Sequence, residues 1–463
     1  MKNWNGRKVL LIGAARQGMA LTRYLIKHGA EVTLTDSRNE EQLSDVLQSL
    51  DGLPVKWALG GHPLEILDDK DLVCLSGGVP LTLPLVLEAR KRNLELSNDS
   101  QIFFDSCPCR IVGITGSAGK TTTTALVGKI ANAHTEIKKT GQKVWVGGNI
   151  GNPLIENVDD INKDDLAILE LSSFQLEIMK SSPHIAAILN ITPNHLDRHL
   201  TMQAYALAKA KILTFQSPSD IAVLNRDDKG SWEMLDVVNS NLLTFGLQTP
   251  PSHINGTFVK REQIYLQLDN QRIKMLPVDW IQLPGEHNLY NVLAACAIST
   301  AASLVLPAIQ EAIDNFQGVS HRLKFVRNHN GVDWYNDSIA TAPERTMAAI
   351  KAIDTPIILL AGGRDKDLPW EDFASLVKQR VDHLICFGEV AAKIIHAFGE
   401  IESGSKPFSI THCNNLQQAI GVAAELAQSG DSVLLSPGGT SFDEFKDFEE
   451  RGEKYIKWVN ELS

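Results

Sequence analysis

Residues 113–122 read Gly-Ile-Thr-Gly-Ser-Ala-Gly-Lys-Thr-Thr, after the apolar run Arg110-Ile111-Val112 and before the helix-spaced run Thr123 to Ile130. Strand, glycine-rich turn and helix together are the context of a phosphate-binding loop. Gly113 and Gly119 are expected to let the backbone curl so that amides face phosphate oxygens, and the helix N-terminus adds partial positive charge. Lys120 is placed to reach β- and γ-phosphates, and the Thr121 hydroxyl to ligate Mg²⁺. The outer glycines stand one residue further apart than in the common pattern, and Gly116 is read as restoring the tight turn. The nucleotide-binding candidates are therefore Gly116, Ser117, Ala118, Gly119, Lys120, Thr121 and Thr122.

Upstream, Lys8 to Ile12 reads as a buried parallel strand, Gly13 to Gly18 as a glycine turn, Met19 to His28 as a helix, and Glu31 to Asp36 as a second strand. This is a βαβ unit with an acid at the strand end. Ala15 stands where a dinucleotide fingerprint carries its second glycine, so a nucleotide other than NAD is the better fit, and an NAD(P)-linked oxidoreductase is the more distant alternative. Leu72 to Leu75 is another strand, ending in the turn Ser76-Gly77-Gly78.

Downstream, Gly147 to Pro153 is a glycine–asparagine loop. Leu166 to Leu169 is an apolar strand reaching Glu170, a carboxylate placed either to hold Mg²⁺ or to cap the next helix. Ile185 to Ile191 is a further strand with His195 beyond its end. On the helix around Tyr205 to Ile212, Lys209 and Lys211 cannot share a face, and both read as solvated charges from pattern alone. Residues 242–283 have antiparallel β character and are expected to form a small appendage, and Leu293 to Ile309 one core helix. From Gly318 onward the strand-then-glycine grammar repeats at Pro356 to Lys366, His383 to Gly388 and Ser432 to Gly439, which predicts another doubly wound sheet.

With 463 residues, about two to four domains are expected. The fold class is α/β in three parts: a Rossmann-like domain over 1–108, a central P-loop ATPase-like domain with a parallel sheet over 109–317, and a Rossmann-like domain over 318–463. A net charge of -11 argues against nucleic acid or anionic membrane as partner. The six cysteines show no disulfide framework. Cys107-Pro108-Cys109 could be a metal or redox pair, but nothing completes a metal site, so reduced thiols in the cytoplasm are the reading.

Taken together, Gly113 to Thr122, Gly147 to Gly151, Glu170-Leu171-Ser172-Ser173-Phe174-Gln175, Asn190 to Asp197, Gly285 to Ala295, His321-Arg322, Asp337-Ser338 and Leu435 to Gly452 resemble the Mur ligases, in order and along the whole chain. The resemblance implies an ATP-dependent amide ligase of peptidoglycan assembly, acting through an acyl phosphate. The C-terminal block is most similar to the glutamate-adding member. Small-molecule partners follow: UDP-N-acetylmuramoyl-L-alanine, glutamate and ATP, with a monomeric protein. The resemblance gives Lys120, Glu170, His195 and Lys209 catalytic roles. Thr121, Glu170, His195 and a carbamylated Lys209 would serve two Mg²⁺ ions. Asn291, Arg322 and Asp337 would meet ATP, while Arg16, Gln17, Ser37, Arg38, Gly78, Asn149 and Ser172 would face the UDP-substrate. Thr341, Lys366, Ser441 and Phe448 would meet glutamate. Since these ligands are spread over three domains, domain closure is implied.

Ala118, Asn194, Ile339 and Pro437 to Thr440 depart from the family pattern. The last two leave D-glutamate and L-glutamate both open.

Overall fold

The computed structural model describes residues 3–149, 153–194, 196–283, 285–365, 368–399 and 404–462. Two compact units are present, Met1–Gln317 and Gly318–Ser463.

The first unit carries two sheets. The first runs β1 (Lys8–Ile12), β2 (Glu31–Asp36), β3 (Val55–Leu59), β4 (Leu72–Leu75) and β5 (Glu95–Ser97) in the order β3-β2-β1-β4-β5, all parallel. Successive side chains of β1 point to opposite faces. Val9 and Leu11 enter one apolar core, while Leu10 and Ile12 enter another with Val73, Leu75 and Leu85. Burial on both faces is what a near-continuous apolar run in a parallel sheet requires. Strand order reverses between β1 and β4, so the crevice at their C-terminal ends is the place for a ligand.

The second sheet contains β6 (Arg110–Thr115), β7 (Val144–Gly148), β8 (Leu166–Glu170), β9 (Ile185–Ile188), β10 (Ile221–Asn225), β11 (Asn241–Phe245), β12 (Gly256–Lys260), β13 (Gln263–Leu268) and β14 (Gln271–Pro277). Its order is β14-β13-β12-β11-β10-β9-β6-β8-β7. The expected antiparallel appendage is instead the edge of this sheet. β12 docks parallel on β11 through Thr244 with Gly256 and Phe245 with Thr257, and β13 and β14 then continue antiparallel.

Two further expectations are corrected. Gly113 lies inside β6, not in the loop. It must be glycine because a Cβ there would come within 2.7 Å of Pro183 Cγ. The single core helix is two, Glu286–Ala301 and Leu306–Asp314. Ser303 turns left-handed between them at φ 62°, and Pro307 sits in the first turn of the second helix, where its missing N–H costs nothing.

The second unit carries β15 (Lys324–His329), β16 (Val332–Asn336), β17 (Ile357–Gly362), β18 (Val381–Phe387), β19 (Ser409–Cys413) and β20 (Ser432–Gly438), ordered β15-β16-β20-β17-β18-β19. β15 is an antiparallel edge and the remaining pairings are parallel. β17 alternates between two cores, Leu359 and Ala361 on one face, Ile358 and Leu360 on the other. Among the described residues, no helix is long and apolar enough to cross a membrane.

Candidate active site

β6 lies between β8 and β9, and the loop after it leads into the helix Lys120–Lys138. Gly119, immediately before that helix, has φ +81°, and a Cβ on it would fall 2.2 Å from Asn291 Oδ1. Only glycine lets the loop turn here and lets Asn291 pack against it. Asn291, itself buried, receives a long contact from Thr123 Oγ1 at 3.5 Å and donates to Asn288 Oδ1 at 3.1 Å.

At the C-terminal end of β8 the Glu170 carboxylate is 2% exposed. The Thr121 hydroxyl donates to its Oε2 at 2.8 Å and Asn149 Nδ2 donates to its Oε1 at 3.0 Å. An uncompensated buried carboxylate is costly; here both oxygens are engaged, by a hydroxyl and an amide. A carboxylate and a hydroxyl brought together are oxygen donors of the kind a hard cation takes, so the residues fit Mg²⁺. Of the two readings of Glu170, this geometry favours the metal side, because the helix after β8 is capped by Ser172 instead. Ser172 forms a full capping box with Gln175, which occupies its hydroxyl.

Lys209 overturns its reading as a solvated charge. It is 1% exposed, and its Nζ donates to Thr115 Oγ1 at 3.2 Å and to Gly116 O at 3.0 Å. Burial, and next the neighbouring Lys120 charge, hold its amine well below the usual lysine range, with Glu170 opposing the shift. Lys120 Nζ donates to Gly116 O at 2.8 Å and Ser117 O at 3.1 Å, so two lysines converge on one carbonyl. Thr122 is half-buried on the first turn of the same helix.

Three partners of this loop were not singled out from sequence. Asn190 donates through Nδ2 to Ala118 O and accepts from Ala118 N, closing the loop tip as a paired strand would. Ser117 Oγ exchanges bonds with Thr192 and lies 3.0 Å from the Tyr205 hydroxyl. The Tyr205 ring sits 4.8 Å from Lys209 Nζ. The i, i+4 spacing of Tyr205 and Lys209 on one helix was the available signal.

At the crevice of the first sheet, Asp36 accepts from Ala14 N at 2.8 Å and from Arg38 N, Nε and Nη2 at 2.9–3.0 Å. Burial alone would raise this carboxyl, but the Arg38 fork and the two amides outweigh it and hold it down at about 2. The Arg38 guanidinium is thus engaged at the strand end, with Ser37 exposed beside it. Gln17 Oε1 accepts from Gly77 N at 3.2 Å, while Arg16 is exposed at the start of its helix. The Gly78 carbonyl accepts from Arg198 Nη1 at 3.0 Å, and the Arg198 guanidinium lies 4.5 Å from the Phe174 ring centroid. His195 lies outside the described residues.

In the second unit, Asp337 follows β16 and is buried. Ser436 Oγ donates to it at 2.7 Å and Leu323 N at 3.1 Å. Burial lifts its carboxyl to about 6 despite these bonds. Arg322 is exposed nearby in sequence, and Thr341 is half-buried. Ser441 is buried, and Phe448 opens the helix Phe448–Glu461 with its carbonyl accepting from Ser338 Oγ at 2.8 Å. Lys366 lies outside the described residues.

What joins Ser338 to the 439–440 loop is Arg451, a residue of the C-terminal motif block that the sequence leaves without a role. Fully buried, its guanidinium donates to Ser338 Oγ and O, Gly439 O and Thr440 O at 2.9–3.2 Å. Phe442, next to Ser441, is 57% exposed.

Comparison with known proteins agrees along the chain. The Mur ligase MurD-like N-terminal domain matches residues 7–98, the Mur ligase middle domain 114–299 and the Mur ligase glutamate ligase domain 321–439. The UDP-N-acetylmuramoylalanine–D-glutamate ligase of Symbiobacterium thermophilum is 40% identical over 456 residues, covering 98% of each chain. That of Clostridium tetani is 38% identical, covering 98% of this chain and 97% of its own. Among solved structures, MurC of Thermotoga maritima superposes with a TM-score of 0.52 at 18% identity, covering 98% of this chain and 99% of its own. A pseudomurein peptide ligase type C of Methanothermus fervidus gives 0.51 at 19%, covering 99% and 100%. At such identities the structures speak for the fold alone, whereas the sequence relatives carry the lineage: the chain belongs to the Mur ligase family, on its MurD-like branch.

Proposed function

We propose that the chain is an ATP-dependent ligase that joins D-glutamate to UDP-N-acetylmuramoyl-L-alanine in peptidoglycan synthesis. The observation that carries this reading is the convergence of Lys120, Thr121, Glu170 and the buried Lys209 around one glycine-rich loop. The 40%-identical relative is a D-glutamate ligase by name, which supports D-glutamate over L-glutamate.

In the proposed reaction the carboxylate of the muramoyl substrate attacks the γ-phosphorus of ATP, and ADP leaves. The glutamate amine then attacks the acyl carbon, and phosphate leaves. Both steps gather charge on oxygens, so fixed positive groups supply most of the rate. Lys120 exchanges its bonds to Gly116 O and Ser117 O for phosphate oxygens, and the loop amides join it. Thr121 and Glu170 would hold Mg²⁺, which supplies charge neutralisation at the phosphates when bound. A second ion at His195 is part of the proposal.

Lys209 is proposed to be carbamylated. Addition to CO₂ needs the neutral amine, and burial favours that form. Asn291, Arg322 and Asp337 are kept for the nucleotide, and Thr341, Lys366, Ser441 and Phe448 for glutamate. Arg16, Gln17, Ser37, Arg38, Gly78, Asn149 and Ser172 are kept for the UDP-substrate. As the sequence divides the chain, we assign the UDP-substrate to domain 1–108, ATP to 109–317 and glutamate to 318–463, in a cytoplasmic monomer.

The test is phosphate release with ATP, Mg²⁺ and UDP-N-acetylmuramoyl-L-alanine, with D- and L-glutamate in parallel. Release with D-glutamate alone is expected. Release with L-glutamate alone would move the chain to the variant specificity and direct attention to Ile339 and Gly438-Gly439. Glu170→Ala and Lys209→Ala should each abolish release while ATP still binds. Phosphate release surviving both changes would end the catalytic assignment of Glu170 and Lys209, whereas ATP binding with no release from either glutamate would favour a nucleotide-gated protein without turnover.

A further inference from the structure

The chain enters β6 from the helix Asp99–Ser106 through Cys107-Pro108-Cys109. Cys107 is extended, with φ -71° and ψ 122°. Pro108 fixes the next φ by its ring. In an extended stretch residues i and i+2 project to the same side, and the two sulfurs accordingly stand 3.4 Å apart. A disulfide bond of about 2.05 Å needs only about 1.4 Å of further approach.

The two thiols differ in setting. Cys109 is 3% exposed and packed in the apolar core that also holds Ile111. Cys107 is partly exposed at the rim of that core. The hydrogen bond between them pushes Cys107 down and, with burial, Cys109 up, which makes Cys107 the more readily ionised member. The remaining cysteines, Cys74, Cys296, Cys386 and Cys413, are at most 2% exposed, and none of the six is in a disulfide. Among the described residues no cluster of three or more metal-ligating side chains forms, so the pair is not part of a larger metal cage.

We propose that Cys107 and Cys109 form a thiol–disulfide exchange site whose co-reactant is a low-molecular-weight disulfide. The Cys107 thiolate attacks one sulfur of that disulfide. A mixed disulfide forms at Cys107, and one small thiolate leaves. The Cys109 thiol then gives up its proton and attacks the Cys107 sulfur, releasing the second small thiol. Two protein thiols are oxidised, one small disulfide is reduced to two thiols, and no other reagent is consumed. Cys107 is the entry sulfur because it is the one a solute can reach, and Cys109 resolves it from the core side. The product ties the residue that ends the helix to the residue that precedes the nucleotide-loop strand.

The full-length protein is incubated with oxidised glutathione, quenched in acid, and its remaining thiols are counted by alkylation in denaturant. Loss of two of the six thiols is expected, with no retained glutathione and with a peptide map that places an internal crosslink between 107 and 109. Cys109→Ser should trap one glutathione on Cys107, while Cys107→Ser should take none. Six intact thiols, stable glutathione on the wild type, crosslinked dimers, or glutathione on Cys109 in Cys107→Ser would each overturn the proposal. The wild-type map needs no variant to fold and is independent of ligase activity.

Discussion

Lys209 shows how much one buried amine can decide. Unfolded, it titrates near 10.5; folded, burial first and Lys120 next hold it well below. Between those two values the unfolded chain binds the extra proton, so this contribution to stability is fully present above 10.5 and is lost as pH falls through the folded value. Lys209→Met keeps the side-chain length without the charge. With CO₂ excluded so that the wild type carries the free amine, denaturant unfolding of the two proteins across pH should show the variant gaining on the wild type, by up to about 1.4 kcal/mol per pH unit, as pH falls. A gap that stays flat would show that Lys209 remains charged in the fold. Asp337 has the opposite sign. Its folded value near 6 lies above its unfolded 3.8, so its contribution is present below 3.8 and is lost as pH rises through 6. Asp337→Asn can accept from Leu323 N and donate to Ser436, and is expected to be more stable at neutral pH by at most roughly 3 kcal/mol. Nucleotide affinity should fall in the same variant. The helical period alone sets Lys209 and Lys211 two residues apart and gives neither a reason to leave solvent. Burial of Lys209 is set by Thr115 and Gly116 from a distant strand and loop, and no local period encodes that. Tyr205, four residues earlier on the same helix, could have been read.

At the scale of elements, β6 and the helix Lys120–Lys138 were legible because each step from strand to turn to helix has a local chemical reason. What the glycines are for was less so. Gly113 and Gly119 look alike in sequence, yet one makes room for Pro183 across a strand and the other takes a left-handed turn against Asn291. Their alanine variants should therefore fail differently. Gly113→Ala overpacks the sheet and should cost about 1–3 kcal/mol of stability with ATP affinity little changed. Gly119→Ala adds a left-handed penalty of about 1–2 kcal/mol and drives Asn291 off the loop, so ATP binding should weaken more than stability does. Calorimetric ATP titration alongside thermal unfolding separates the two. Equal loss of ATP affinity in both variants would mean that the loop senses strand packing directly. The edge strands make the complementary point. The turn at Asp269-Asn270 was readable, and both residues are left-handed as such a turn demands. Their attachment to β11 is made by backbone pairing at Thr244 and Phe245, which side-chain pattern does not announce.

At the scale of the whole molecule, the three-sheet grammar was readable because each sheet repeats apolar strand, glycine turn and helix. The roles of Asn190 and Arg451 were not, since Asn190 meets Ala118, 72 positions away, and Arg451 ties the 439–440 loop to Ser338, 113 positions away. Each unit also encloses cores of its own: Leu10 is fully buried in one and Leu359 in the other. Truncating such a leucine removes transfer energy and leaves a cavity, at about 2–5 kcal/mol. Where a unit holds its own core, that loss falls on its own unfolding equilibrium. Thermal unfolding of the full chain is therefore expected to resolve two transitions. Leu10→Ala should lower one by several degrees and Leu359→Ala the other, with assignment by proteolysis of the loosened unit. If either substitution lowers both transitions equally, the chain unfolds as a single cooperative body and the two cores are energetically one.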